Sequence, residues 1–226
     1  MKILLAFATL LVTALLSGCV TTGQKITTTE LHNKQKVDIS AEVYPVKSDK
    51  AMKAPTVILL HGCSGPERLH MAAWVESLNG WGYNAVVLNS LSPRGVYQVC
   101  SQPFSAVSPE QRSVDAHDAA KWVIQQPWAT DKVGIVGFSH GAMAAVAATA
   151  KSYVERNYGK QVISAAVAFY PACDNNLAID KPANPIQFHV AGRDTWSPPS
   201  PCKDLAKSWG VLDTLLEDGR LGFEGI

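Results

Sequence analysis

"KVGIVGFSHGA", Lys132 to Ala142, decides how the rest of the chain is read. Lys132–Phe138 is biased to β-branched and apolar residues, as a buried strand requires. Gly137-Phe138-Ser139-His140-Gly141 then forms a G-x-S-x-G pattern, and a run of small residues follows it. The reading is strand, sharp turn, helix, with Ser139 at the apex. That geometry exposes a serine oxygen over the edge of a sheet, with the positive end of a helix dipole beside it. Ser139 is the candidate nucleophile, against the alternative of a plain strand-to-helix turn.

Outward from this turn, strands and helices alternate. "PTVILLHG" (55–62), "YNAVVLNS" (83–90), "VISAAVAFYP" (162–171) and "PIQFHVAGRD" (185–194) are continuous apolar runs that read as strands buried on both faces. "KVDISAEVYPV" (36–46) alternates as an antiparallel edge strand does. Helical spacing marks 68–82 and 108–127; in the latter Ser108, Pro109 and Gln111 suggest an N-cap, a first-turn proline and a capping box. The segment from His140 to Asn157 reads as one helix, and 200–210 as a short one. The alternation predicts an α/β fold with a mostly parallel sheet and helices on both faces. Right-handed crossovers then gather Gly62, Ser90, Ser139, Pro171 and Asp194 along one rim.

Two further stretches supply chemistry at that rim. "LLHGCSG" (59–65) can provide a backbone donor to an oxyanion, at Cys63, to pair with the amide of His140 after the serine. His61 is read as a brace for this loop. Asp194, at the end of a later strand, suits the acid that orients an imidazole; a surface turn aspartate is the alternative.

These motifs resemble the dienelactone hydrolase family within the α/β hydrolases. The likeness runs from about Lys36 to Gly210 and includes "LHGCSG", "RGVYQVC", Arg112, Asp115 and Trp122, "GFSHGA", "FYPAC" and "GRDTWSPPSPC". Ser139 stands where prototype members carry a cysteine. The resemblance implies hydrolysis of small carboxylic esters or lactones without a cofactor. In the prototype an arginine helps hold a substrate carboxylate; Arg94 lies in a comparable loop without a clear match. The resemblance also implies a histidine about thirty residues after the acid. None of His32, His61, His70, His117, His140 and His189 follows Asp194. Leu221 stands near the expected place, and the family's closing helix is missing. Three readings compete: truncation or frameshift after about Gly210, a substitution at Leu221, or service by another histidine, with His61 the least implausible. The alternative function is a catalytically inactive, α/β-hydrolase-like lipoprotein.

The 226 residues suit one domain, and 47% hydrophobic with 17% charged residues can bury a full core. A net charge of +1 gives no footprint for nucleic acid, and no metal-ligand spacing is present. Residues 1–18 read as a lipoprotein signal peptide, because Leu16-Ser17-Gly18-Cys19 resembles a lipobox and Cys19 would carry the lipid. Residues 19–34 read as a polar tether and 35–226 as the α/β-hydrolase domain. The expected setting is a bacterial cell envelope, at the periplasmic face of the outer membrane. With Cys19 set aside, four cysteines remain and allow three pairings. Cys63–Cys100 and Cys173–Cys202 are favoured, as joining loops at neighbouring strand ends; buried free thiols are the alternative. Trp196, Tyr97 and Phe104 are candidate pocket aromatics.

Overall fold

The computed structural model describes residues 21–47, 52–101, 106–159, 162–173, 180–210, 213–215 and 221–223. The signal peptide, Cys19 and Phe104 lie outside them. Seven strands form one sheet: β1 (Thr21–Thr29), β2 (Lys36–Tyr44), β3 (Ala54–Leu60), β4 (Asn84–Asn89), β5 (Ala129–Phe138), β6 (Ile163–Phe169) and β7 (Ile186–His189). Their order is β1-β2-β4-β3-β5-β6-β7. β1, β2 and β4 pair antiparallel, while β4-β3-β5-β6-β7 is parallel throughout. A separate antiparallel pair, β8 (Asp213–Leu215) and β9 (Leu221–Phe223), lies with β9 beside β7.

The apolar runs that predicted central strands serve two cores, one on each face of the sheet. Ile58 and Leu60 of β3, with Val86 and Leu88 of β4, join one core. Val57 and Leu59, with Ala85 and Val87, point to the other. This is the period-two alternation of a strand buried on both sides. Helix α1 (Arg68–Gly80) covers the second face through Met71, Val75 and Leu78. Helices α2 (Pro109–Val123) and α3 (His140–Thr149) cover the first. All ten residues of α3 are buried. Its small side chains let it run close to the sheet, between strands and α2, which no bulkier helix could do. A large-to-small change in these cores costs about 2–5 kcal/mol.

Three expectations are corrected. The polar stretch 19–34 is not a tether throughout, because Thr21–Thr29 is strand β1, hydrogen-bonded along β2. Threonine-rich segments favour extended backbone. Ile26 is buried in the core, and the buried Thr28 hydroxyl bonds Asp115 and Asp118 at 3.1 and 3.0 Å. Second, the helix read from His140 to Asn157 breaks at Ala150, whose extended backbone bridges Pro182. α4 (Lys151–Tyr158) starts afresh there, and α5 (Pro199–Ser208) follows later. Third, the capping box is half formed. Ser108 accepts from the Gln111 amide at 3.1 Å, but the Gln111 side chain turns to the Leu31 amide (2.7 Å) and the Thr29 carbonyl (3.1 Å). It thereby fastens β1 to α2.

Candidate active site

Ser139 sits between β5 and α3 with φ +52° and ψ −117°. A non-glycine residue in this region is strained and persists only where the surroundings fix it. Here the Ser139 amide donates to the Phe169 carbonyl at 2.9 Å, and its carbonyl accepts from the Ala142 and Met143 amides at 2.8 and 3.0 Å. The two flanking glycines are required by close approach. A Cβ on Gly137 would collide with the Gly141 carbonyl, and one on Gly141 with the Leu60 carbonyl. So the turn can close only with glycine on both sides, and the half-buried serine is held over the carboxyl ends of the strands.

A cavity of about 190 Å³ opens on Ser139. Gly62, Cys63, Ser64 and Gly65, after β3, form one wall, and Glu67, His70 and Met71, at the start of α1, another. Phe138 and Tyr170 complete it. Behind the cavity Phe138 stacks on Phe169 (5.4 Å between centroids) and Phe169 on His189 (4.4 Å). The Cys63 loop is fixed from two sides. Its carbonyl accepts from the Val99 amide at 2.8 Å, and its sulfur is bonded to Cys100. The second disulfide joins Cys173 to Cys202. Both pairs are those favoured from the sequence.

Behind the turn lies a cation buried in the core. Arg112 of α2 is fully buried. Its guanidinium donates to the His61 carbonyl at 2.7 Å and to Nδ1 of His140 at 2.9 Å. One planar fork therefore ties the strand end before Cys63 to the first residue of α3. Burial, with the neighbouring Arg112 charge adding to it, pushes the His140 imidazole down to about 3. The same causes hold His61 well below its ordinary value. Burial also lowers the Arg112 guanidinium to about 10, which leaves it cationic at neutral pH.

Arg94 is likewise committed inside the protein. It pairs with both oxygens of Asp115 at 2.8 Å and with Glu30 at 2.6 Å, and it bonds the Ser90 carbonyl. It does not line the cavity and so has no part in holding a substrate carboxylate there.

Asp194 lies past β7, half-buried, in a turn closed by its own amide to the Ala191 carbonyl at 3.1 Å. Its Oδ1 accepts from the Trp196 and Ser197 amides at 2.8 and 2.9 Å. Backbone amides thus fix one oxygen of the carboxylate, and Asp194 does not line the Ser139 cavity. His61 is completely buried, and its Nδ1 bonds the Gly62 carbonyl at 2.7 Å, which makes it the brace foreseen and not a base facing the cavity. His117 bonds the Ala148 carbonyl and stacks on Tyr158. His70 is the one histidine that lines the cavity. Sequence reading passed over it because its position on a helix says nothing about which helix end meets the rim. Its Nε2 accepts from the Trp74 indole at 3.1 Å, so that lone pair is engaged. Trp196 (83% exposed) and Tyr97 (81% exposed) do not line the cavity; Phe138 and Tyr170 do. The side chain of Leu221 lies outside the described residues.

The dienelactone hydrolase family model matches residues 41–210. A comparison with curated protein sequences finds no match. Among solved structures, the Pyrococcus furiosus esterase Pf2001 is similar with TM-score 0.59 at 17% identity, over 83% of this chain and 78% of that one. A proposed dienelactone hydrolase from Klebsiella pneumoniae gives 0.58 at 16%, over 83% and 80%. The Xanthomonas campestris protein XC6422, a serine hydrolase without a lid, gives 0.55 at 18%, over 87% and 80%. At these identities the likeness is one of fold.

Proposed function

The chain belongs to the dienelactone hydrolase family, and on that premise we propose that it is a serine hydrolase of small carboxylic esters or lactones. The observation that carries this reading is Ser139, held in a strained turn at the mouth of a cavity and beside the first amide of a buried helix. In the reading, Ser139 Oγ attacks the ester carbonyl. The amides of Cys63 and His140 receive the developing oxyanion, and the α3 dipole favours the same charge. Asp194 is the orienting acid. The cavity, at about 190 Å³, is smaller than the roughly 300–1,000 Å³ clefts that hold drug-sized ligands, which suits a short acyl chain.

The cavity's own histidine, His70, has Nε2 engaged by Trp74. This observation favours a second reading, in which the site binds esters with little turnover. A site left with oxyanion donors and binding alone retains on the order of 10³–10⁴-fold acceleration over water. The two readings share the nucleophile and differ in rate. Covalent capture tests their common part. A fluorophosphonate is expected to add to Ser139, located by peptide mass; labelling that survives Ser139→Ala unchanged contradicts the assignment.

Both disulfides fit an oxidising compartment. We place the protein in the cell envelope on that ground and on the lipobox, with Cys19 as the lipid-bearing residue. Cys19→Ala should then move the protein from the detergent phase to the aqueous phase; an unchanged partition would oppose the anchor.

A further inference from the structure

We infer that the Ser139 cavity selects uncharged short-chain esters and rejects acyl chains that end in a carboxylate, with Glu67 as the residue that sets this preference. The inference rests on the hydrolase reading above and names the substrate class of the same site.

The charges around the cavity point one way. Glu67 is the only carboxylate lining the cavity among the described residues, and neither lysine nor arginine lines it. The two arginines nearest in the sequence logic are spent elsewhere. Arg94 is bound to Asp115 and Glu30, and Arg112 to His61 and His140. Arg68, next to Glu67, is exposed and does not line the cavity.

Besides the α3 terminus at Ser139, a second source of positive potential is the N-terminus of α1, whose cap lines the cavity. Glu67 already occupies it. As the N-cap, its Oε2 accepts from the His70 amide at 2.8 Å and its Oε1 from the Leu69 amide at 3.4 Å. The donors that would otherwise receive an anion are satisfied by the protein's own carboxylate. A substrate carboxylate approaching the α1 end of the cavity meets a like charge and finds the Leu69 and His70 amides taken. An uncharged alkyl chain meets Met71, Phe138 and Tyr170 instead.

Binding is measured separately from turnover. On Ser139→Ala, amide shifts are followed by NMR titration with methyl butanoate and with monomethyl succinate, which adds the carboxylate. Methyl butanoate should bind at least about threefold more tightly, a modest ratio because Glu67 is exposed and screened by solvent. Glu67→Gln in the same background, which keeps a capping oxygen, should bring the ratio close to one. Equal affinities with Glu67 present overturn the inference. So does a ratio that Glu67→Gln leaves unchanged, and so does the lack of any shift at Gly62–Gly65 with either ester. The unsubstituted protein is then assayed on p-nitrophenyl butanoate and mono-p-nitrophenyl succinate. Turnover of neither, with the binding ratio intact, overturns the hydrolase reading and leaves the charge preference standing.

Discussion

Arg112 illustrates how one side chain can hold a site it never touches. Its two bonds reach the carbonyl of His61 and the ring of His140, so both loops that carry the proposed oxyanion donors hang on one guanidinium. A buried charge of this kind is costly by itself and strongly destabilising when its geometry is broken. Lysine keeps the charge but not the fork. Arg112→Lys should lower unfolding free energy by about 1.5–3 kcal/mol, read from a urea melt. It should also reduce kcat on p-nitrophenyl acetate while KM changes little, because the donors act on the oxyanion and not on the ground-state ester. A variant as stable and active as the parent would deny Arg112 that role.

At the scale of elements, the loop after β3 must present its amide at a fixed place. The Cys63–Cys100 bond spans 37 residues of sequence and ties this loop to the segment before α2. Replacing both cysteines by alanine should cost about 2–4 kcal/mol, seen as a lower urea midpoint. Turnover of p-nitrophenyl acetate should fall with it under conditions where the variant is still folded. Undiminished turnover in the folded variant would show that the loop holds its shape without the bond. The elements also show what was legible in the sequence. The buried runs announced β3 to β7, because continuous apolar strands have few other uses. Gly137 and Gly141 announced the turn, because only glycine fits against that backbone. β1 was hidden by its polarity: its partners, Asp115 and Asp118, are polar too, and lie some 90 residues away. His70 was hidden for a related reason, since its place in the cavity lining depends on where α1 docks. Arg94 looked available in a loop, and the two carboxylates that claim it were not visible as neighbours.

For the whole molecule, three buried histidines couple folding to acidity. His61, His117 and His140 are all buried, and burial holds each below its ordinary value, to about 4 for His117 and about 3 for His140. The native state keeps them neutral, while the unfolded chain takes up protons near pH 6.5. Between that pH and the lower native values the unfolded state binds more protons, so stability falls as pH falls. The contribution is fully present above about pH 6.5 and should shrink by roughly 1.4 kcal/mol per pH unit per histidine below it. Thermal melts at pH 7.5 and 5 should show the midpoint dropping in acid. An unchanged midpoint would mean that the imidazoles are not buried as described.

Whether Ser139 acts as a nucleophile beside the proposed oxyanion donors is decided by one kinetic comparison. Hydrolysis of p-nitrophenyl acetate by the protein and by Ser139→Ala is measured against buffer. A rate above buffer that Ser139→Ala lowers is expected. Equal rates for the two proteins would contradict it.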